Sequence, residues 1–372
     1  MNHRARSRIS ERPRPALTLI VLLGVLTGCA STGAPDTRRE LLTTWSNELI
    51  VPIYAELEER SQALDSSLGD MCASPSEASL EAAKRAWSVA REPLKRGEVF
   101  AFGPFSRPEY RIGPKLDSWP ARPEEVEELL ASASPVDPQT IGTLGVWHKG
   151  LPVIEYLLYP PEGGATALLS DARRCEYLRS VGAELVSRAR ELHLAWAPEG
   201  GNFAAELSGA GRTSTAFRSL KDAFGEIVNR LGFTLENVRK DKLGRPLGDS
   251  AGGIAQPAVA ESRFSGRSLR DILDNLDGIE LVFFGDASRT IPGVAQYARE
   301  RGQSFDPEVT AGLAAARDAL LAIDVPLTEA VATESERVRE ASARLGELQS
   351  LFQVEIIGAL GLTLSFNDND GD

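Results

Sequence analysis

The segment LLTTWSNELIVPIYAEL, residues 41–57, carries the clearest helical pattern in this chain of 372 residues. Its large apolar side chains recur every four residues, at Leu41, Trp45, Leu49, Ile53 and Leu57. This spacing places them on one stripe and predicts an amphipathic α-helix. Pro52 predicts a kink within that helix, because proline lacks the backbone donor that the helix needs.

The same helical spacing continues along the chain, and the alternation typical of strands is nearly absent. It predicts further helices over residues 77–94, 124–131, 152–158, 170–196, 217–238, 268–279, 307–323 and 327–360. Gly200-Gly201-Asn202 interrupts the pattern near the middle. We therefore predict an all-α fold of two packed helical bundles, an N-terminal one at residues 39–200 and a C-terminal one at residues 201–372.

Local signals predict where some of these helices begin and end. Ser74-Pro75-Ser76-Glu77 has the form of a capping box with proline at the first helical position. Gly244 and Pro246 are expected to stop the helix that begins near residue 217. Lys240 and Lys242 would then lie at its C-terminus, where cations complement the helix dipole. A ligand-binding role for the two lysines is the alternative.

The N-terminus has the composition of an export signal, with five arginines before an apolar run at residues 16–26 that is too short to span a bilayer. Residues 1–28 are therefore predicted to be a signal peptide. Leu26-Thr27-Gly28-Cys29 fits the lipobox of bacterial lipoproteins, which predicts lipidation of Cys29. Residues 29–38 would be the lipidated tether, and Ala30 in place of aspartate favours the outer membrane. An ordinary cleaved signal peptide is the alternative.

Charge and cysteine content limit the protein class. The chain carries a net charge of −12, and removal of residues 1–28, with five arginines and one glutamate, leaves the remainder more acidic. Such a chain, without a basic patch, is not expected to bind nucleic acid. Beyond Cys29 the cysteines are Cys72 and Cys175. In an exported protein this pair predicts a disulfide, with free thiols or thiolate metal ligands as the alternatives.

Several segments, in order along the chain, resemble the imelysin family of bacterial envelope proteins. They are residues 86–91, 98–104, 150–158, 173–178, 240–248, 261–262, 265–269 and 360–372. The resemblance implies two helical bundles, an envelope location and a link to iron acquisition. It also implies a peptidase class name, which the family took from one of its members.

The best-known signature of that family is Gly-x-His-x-x-Glu, and the resemblance implies a metal-binding role for it. Here it corresponds to Gly150 through Glu155, and Pro152 stands where the histidine is expected. A proline side chain has no atom that coordinates a metal. His148 and Glu155 remain as candidate metal ligands, but on a continuous helix they would lie about 10 Å apart along the axis.

Four charged residues are candidates for ligand binding. Glu155 lies in an apolar run, where a carboxylate is costly unless paired, so it is either a cleft acid or a structural partner of an arginine such as Arg91. Arg91 and Glu98 are seven residues apart and form either a buried pair or a clamp for an acidic ligand. Glu355 either opposes Glu155 across a cleft or points to solvent.

Catalytic motifs are scarce. The chain has neither His-Glu-x-x-His nor Gly-x-Ser-x-Gly. After processing, its histidines would be His148 and His193, which limits histidine-based metal chemistry. His193 lies between leucines on a predicted helix, where a structural role is the more common one.

Together these features predict an outer-membrane lipoprotein that faces the periplasm. The resemblance implies that it binds iron, another divalent metal or a metal complex during metal acquisition, with an envelope uptake protein as partner. The expected ligand site is a cleft between the bundles with Glu155 on its wall. The alternatives are a metallopeptidase of the imelysin type and a non-catalytic partner of another envelope component.

Overall fold

The computed structural model describes residues 36–159, 170–288 and 290–365. Its longer helices, in chain order, are α1 (Thr37–Thr44), α2 (Val51–Ala73), α3 (Glu77–Arg96), α4 (Leu151–Leu158), α5 (Ala172–Trp196), α6 (Leu220–Asn237), α7 (Ser268–Phe284), α8 (Asp306–Leu321) and α9 (Ser335–Ser350). Shorter α-helices lie at Gly113–Leu116, Pro123–Ala131, Pro138–Thr143, Phe203–Ser208, Arg245–Leu247, Val294–Glu300, Leu327–Thr333 and Ile357–Ala359. Short 3₁₀ turns lie at Gly97–Phe100, Gly103–Phe105, Val146–His148 and Pro257–Val259. The predicted signal peptide and Cys29 lie outside the described residues.

Wider, π-helical turns join several of these helices into longer ones. Trp45–Ile50 connects α1 to α2, and Leu351–Ile356 continues α9. Val238–Gly244 continues α6 into the short helix that contains Pro246. The predicted stop at Gly244 and Pro246 is therefore wrong, because the π turn carries the helix on through Leu247. The helix also continues through Pro52, which lies in the first turn of α2 directly after the π turn Trp45–Ile50.

Two predicted helix boundaries need correction. Ser76 caps α3 by accepting a hydrogen bond from the backbone N–H of Ser79 at 3.1 Å, and the Ser79 hydroxyl accepts from the Ser76 N–H at 3.0 Å. The capping box thus begins two residues later than predicted, and Ser79 takes the place of a glutamate. The helix expected over residues 327–360 is divided at Glu334, where the backbone leaves the helical region.

The helices form two packed bundles, as predicted. In one bundle α2 packs against α3 and α5, and in the other α9 packs against α6 and α8. Helix α7 contacts both α8 and α3 and so connects the bundles. It approaches α3 closely at Gly278, where a Cβ atom would lie 2.2 Å from the carbonyl oxygen of Arg96. The described residues, from Asp36 onward, form one compact unit, and the boundary at residue 200 stays a prediction.

The first helix lies against the second half of the chain. Arg39 on α1 donates hydrogen bonds to the carbonyl oxygens of Ser208 at 2.6 Å and Ala210 at 3.1 Å. The Trp45 ring stacks on Phe224 with 5.7 Å between ring centroids. The N-terminal segment therefore helps to hold the two halves together. Among the described residues, no helix is both long enough and apolar enough to cross a bilayer.

A disulfide links the first bundle internally. Cys72 on α2 and Cys175 on α5 are bonded, with a Cα–Cα distance of 5.7 Å, within the usual range for a disulfide. The predicted pair is thus confirmed. The bond closes a loop of 103 residues in sequence, so it restricts the unfolded chain strongly.

We predict that replacing both cysteines, Cys72→Ser with Cys175→Ser, lowers the free energy of unfolding by about 4 kcal/mol, because the long loop regains its entropy in the unfolded state. Urea denaturation followed by far-ultraviolet circular dichroism measures this loss. A reductant should produce the same loss in the parent protein and none in the double variant. Equal stability of parent and variant would show that the bond contributes nothing.

Candidate functional site

Helix α3 carries two cations on its buried face. Trp87, Arg91 and Lys95 are spaced four residues apart and so lie along one side of the helix. Arg91 is 1% exposed and Lys95 is 0% exposed. Two charges at this depth are very costly unless each finds partners.

The guanidinium of Arg91 binds carboxylates from three separate segments. It donates to Asp271 on α7 through Nε at 3.0 Å and through Nη2 at 2.8 Å. Nη2 also donates to Glu261 at 2.9 Å, and Nη1 donates to Asp117 at 3.0 Å. Asp271 and Glu261 belong to the second half of the chain, so this arginine fastens the bundles to each other.

The ammonium group of Lys95 lies among three carboxylates, those of Glu98, Asp117 and Glu261. Oxygen atoms of these three side chains lie within 4.8 Å of one another. That spacing suits a metal ion, and in the described part of the chain it is the one such group of acidic, histidine or cysteine residues. Here the Lys95 ammonium already fills the position that a cation would take.

A second lysine reaches the same carboxylates from the other bundle. Lys242 lies in the π turn after α6 and is 4% exposed. Its Nζ donates to Glu98 at 2.7 Å and to the side-chain oxygen of Asn275 at 2.8 Å, and it lies 3.0 Å from Glu261. The interpretation of Lys242 as a helix-terminal cation is therefore wrong. The π turn shifts the helical register, and Lys242 is buried against α7.

The opposite charges set the protonation states within this cluster. Burial alone would raise the pKa of Glu98, but the ammonium groups of Lys242 and Lys95 outweigh it and lower that pKa. The same lysines and Arg91 hold the pKa of Glu261 far below its ordinary value. Arg91 and Arg267 lower the pKa of Asp271 against the effect of burial. The acids therefore stay ionised at neutral pH.

Glu155 forms a second, separate link between the halves. It lies on α4, is 2% exposed, and accepts hydrogen bonds from the backbone N–H groups of Phe264 at 3.0 Å and Ser265 at 2.8 Å. The Ser265 hydroxyl also donates to it, at 2.7 Å. Burial raises the pKa of Glu155 to about 7, although these hydrogen bonds oppose the rise.

A cavity of about 600 Å³ opens beside the charged cluster. One wall comes from the first half of the chain, including Glu98, Phe105, Arg111 and Trp119, and the other comes from α6 and the π turn that follows it. Glu98, Asp117 and Lys242 belong both to the cavity lining and to the charged cluster. The cavity thus leads from the surface to the ion pairs that join the bundles.

Comparison with known proteins identifies the family. The family model for Imelysin matches residues 50–352. The chain belongs to the imelysin family. It is 28% identical over 326 residues to iron-regulated protein A of Synechococcus elongatus, covering 86% of this chain and 85% of that protein.

Solved structures share the imelysin fold. A candidate iron-regulated protein A precursor from Parabacteroides distasonis aligns with a TM-score of 0.74 and 19% identity, covering 88% of this chain and 96% of that one. An imelysin-like protein from Psychrobacter arcticum aligns with a TM-score of 0.73 and 18% identity, covering 89% and 97%. The resemblance inferred from the sequence is therefore confirmed for family and fold.

The imelysin signature does not fit a metal in this chain. Gly150 has φ of 81°, and a Cβ there would lie 2.5 Å from the carbonyl oxygen of Leu116, so glycine is required. Pro152 is buried in the first turn of α4 and offers no ligand atom. One carboxylate oxygen of Glu155 accepts hydrogen bonds from three donors in residues 264–265. The signature thus serves here as a structural link between the bundles.

The structure separates the other candidate residues. His148 lies in a 3₁₀ turn, 3.8 Å from Glu125, and neither His148 nor Glu155 belongs to the carboxylate group around Lys95. Arg91 and Glu98 do lie in one cluster, but each pairs with other residues and not with its counterpart. Glu355 is exposed in the π turn after α9.

Sequence reasoning missed four members of the cluster, namely Lys95, Asp117, Glu261 and Asp271, and it assigned Lys242 to a helix end. A signal was present for Lys95, because its spacing from Trp87 and Arg91 places it on an apolar helix face. Asp271 likewise sits one residue before Ile272 on the inward side of α7. A polar residue on a face that must be buried predicts a partner, although it does not say which one.

We predict that Lys95→Met lowers the free energy of unfolding at pH 7 by about 3–5 kcal/mol, because it leaves Glu98, Asp117 and Glu261 without their shared cation. The matched control Lys84→Met removes a partly exposed pair with Glu81 and should cost about 1 kcal/mol or less.

Denaturant titrations of both variants across pH 4–8 test the electrostatic cause. The lowered pKa values of Glu98 and Glu261 give the parent stability that is present above their unfolded pKa values and lost as the pH falls. The deficit of Lys95→Met should therefore shrink toward pH 4. A deficit that is constant with pH would assign the loss to packing instead.

For Glu155 the change of stability with pH has the opposite sign. Its folded pKa of about 7 lies above the ordinary 4.5, so the parent loses stability as the pH rises from 4.5 to 7, by about 3 kcal/mol. Glu155→Gln keeps an oxygen that accepts from Ser265 but cannot ionise. Its unfolding free energy, relative to the parent, should rise by that amount between pH 4 and pH 8. A difference that is flat with pH would contradict the raised pKa.

Proposed function

We propose that this imelysin is a lipid-anchored, periplasm-facing protein that binds its ligand in the cavity between the two bundles during the acquisition of iron or another metal. The family and the iron-regulated relative support an iron-related role. The observation that carries the proposal is the cavity of about 600 Å³ lined by both halves of the chain. Ligand sites in helical proteins commonly lie at such junctions.

Binding without turnover is the function that the residues support best. A metallopeptidase needs histidine or carboxylate ligands with an open position for water. In the described chain His148 lies near Glu125, and His193 contacts Glu58 at 2.7 Å, in separate places. The carboxylates around Lys95 are occupied by ammonium groups. These histidines and carboxylates thus make contacts that stabilise the fold.

The membrane attachment is proposed from the sequence at Leu26-Thr27-Gly28-Cys29. Cys29→Ala should abolish incorporation of radiolabelled palmitate and shift the protein from the membrane fraction to the soluble or unprocessed one. Cys72→Ser, which alters a cysteine of the disulfide, is the control and should still be labelled. Labelling of Cys29→Ala equal to the parent would contradict a lipid anchor at this residue.

The cavity is tested by filling it. Ala101 lines the cavity, so Ala101→Trp should occlude it, whereas Ala343→Trp adds the same bulk at an exposed position of α9. Calorimetry with ferrous ion, zinc ion and ferric citrate should show binding of at least one of them, weakened at least about tenfold by Ala101→Trp and unchanged by Ala343→Trp.

Three results would contradict the proposal. Binding weaker than about millimolar for every probe, about 4 kcal/mol of binding free energy, would remove the metal-related function. Equal binding by the parent and a folded Ala101→Trp variant would place the site elsewhere. Metal-dependent cleavage of peptides by the purified protein would favour the peptidase alternative.

A further inference from the structure

Two of the three acidic residues that line the cavity, Glu98 and Asp117, are already matched by buried cations. Glu98 contacts Lys95 and Lys242, and Asp117 contacts Arg91 and Lys95. These lysine and arginine charges lie behind or within the wall and cannot withdraw without leaving the carboxylates unpaired. A bare metal cation entering the cavity therefore finds no unneutralised carboxylate at Glu98 or Asp117.

Two of the three arginines that line the cavity have no close ion pair, whereas the third, Arg230, pairs with Glu226. Arg111 and Arg245 line the cavity, both are exposed, and neither forms an ion pair within 4.0 Å with a described residue. Asp241 also lines the cavity and forms no ion pair within 4.0 Å with a described residue; burial raises its pKa, and the charge of Arg245 opposes that rise. In a chain of net charge −12, two arginines facing one cavity make a local site of positive potential.

The backbone holds both arginines in place. Arg111 has φ of 43°, and its N–H donates to the carbonyl oxygen of Arg107 at 2.9 Å, so the turn that presents it is closed. Arg245 follows directly on the π turn Val238–Gly244. Register changes of this kind are frequent at functional sites, because they aim side chains that a regular helix would place elsewhere.

Aromatic side chains give the cavity a fixed, partly apolar wall. Phe105 and Trp119 line it. The Phe105 ring packs over Gly113 so closely that a Cβ there would lie 2.2 Å from it. A ligand at this site therefore meets flat carbon surfaces beside two guanidinium groups, which suits a small organic anion better than a hydrated ion.

We propose that this cavity binds a small organic polycarboxylate, free or as its ferric chelate, through Arg111 and Arg245. Guanidinium groups bind carboxylates by paired, charge-assisted hydrogen bonds, and two of them select a ligand with more than one carboxylate. The inference rests on the proposed function for the place of the site and names the class of ligand that the site takes. On this account metal reaches the protein as an anionic complex.

Calorimetry with citrate, ferric citrate and ferrous ion tests the proposal. Arg111→Gln and Arg245→Gln should each weaken binding of the carboxylates about tenfold or more, and the double variant should weaken it further. The control Arg344→Gln removes a partly exposed arginine that pairs with Glu340 and Glu347 on α9, outside the cavity, and should leave affinity unchanged. Because both target side chains are exposed, unfolding curves of all variants should match the parent.

Further comparisons distinguish free citrate from its ferric chelate as the ligand. They also distinguish a failure of the anion proposal from a failure of the proposed function. Affinity for either carboxylate should fall with rising salt, and tighter binding of ferric citrate than of citrate assigns the chelate as ligand. Carboxylate binding that is unaffected by the double variant, or is absent, overturns the inference. If ferrous ion still binds and Ala101→Trp blocks it, the proposed function stands and only the anion is wrong.

Discussion

The structure depends on two cations of α3, Arg91 and Lys95, that lie in the interior among carboxylates from both bundles. Removing an ion from water costs several kcal/mol, and this cost is recovered only when every member has its partners. The cluster therefore forms completely or not at all. Its geometry constrains the rest: the π turn places Lys242, and the close contact of α7 with α3 at Gly278 brings Asp271 to Arg91.

The same cluster determines what the neighbouring cavity is able to bind. Three carboxylates at metal-binding distances surround the ammonium of Lys95. Their negative charge is therefore used in ion pairs that hold the two bundles together. Pro152 removes the histidine of the family signature, and Glu155 caps the backbone of residues 264–265. The family signature and the carboxylate group with metal-binding spacing are thus both used for structure. Arg111 and Arg245, which line the cavity without an ion pair to a described residue, remain available to bind a ligand.

The sequence predicted the helices well, because a stripe such as Leu41, Trp45 and Leu49 is a local property of the chain. It predicted the disulfide for a different reason: beyond Cys29 the chain has one pair of cysteines, so one pairing was available. It did not predict the register changes, because the π turn near Lys242 follows from tertiary packing. Nor did it predict the cluster: Arg91 was recognised as significant, but its partner Asp271 lies 180 residues away. Which distant charges meet is decided by how the bundles pack.

Lys95 holds the position of a cation between Glu98, Asp117 and Glu261. A crystal structure of the protein soaked in manganese, with anomalous diffraction recorded, tests it directly. We expect the Lys95 ammonium to lie among the three carboxylates, with no anomalous peak there. A manganese peak at that position, with the lysine turned away, would contradict it.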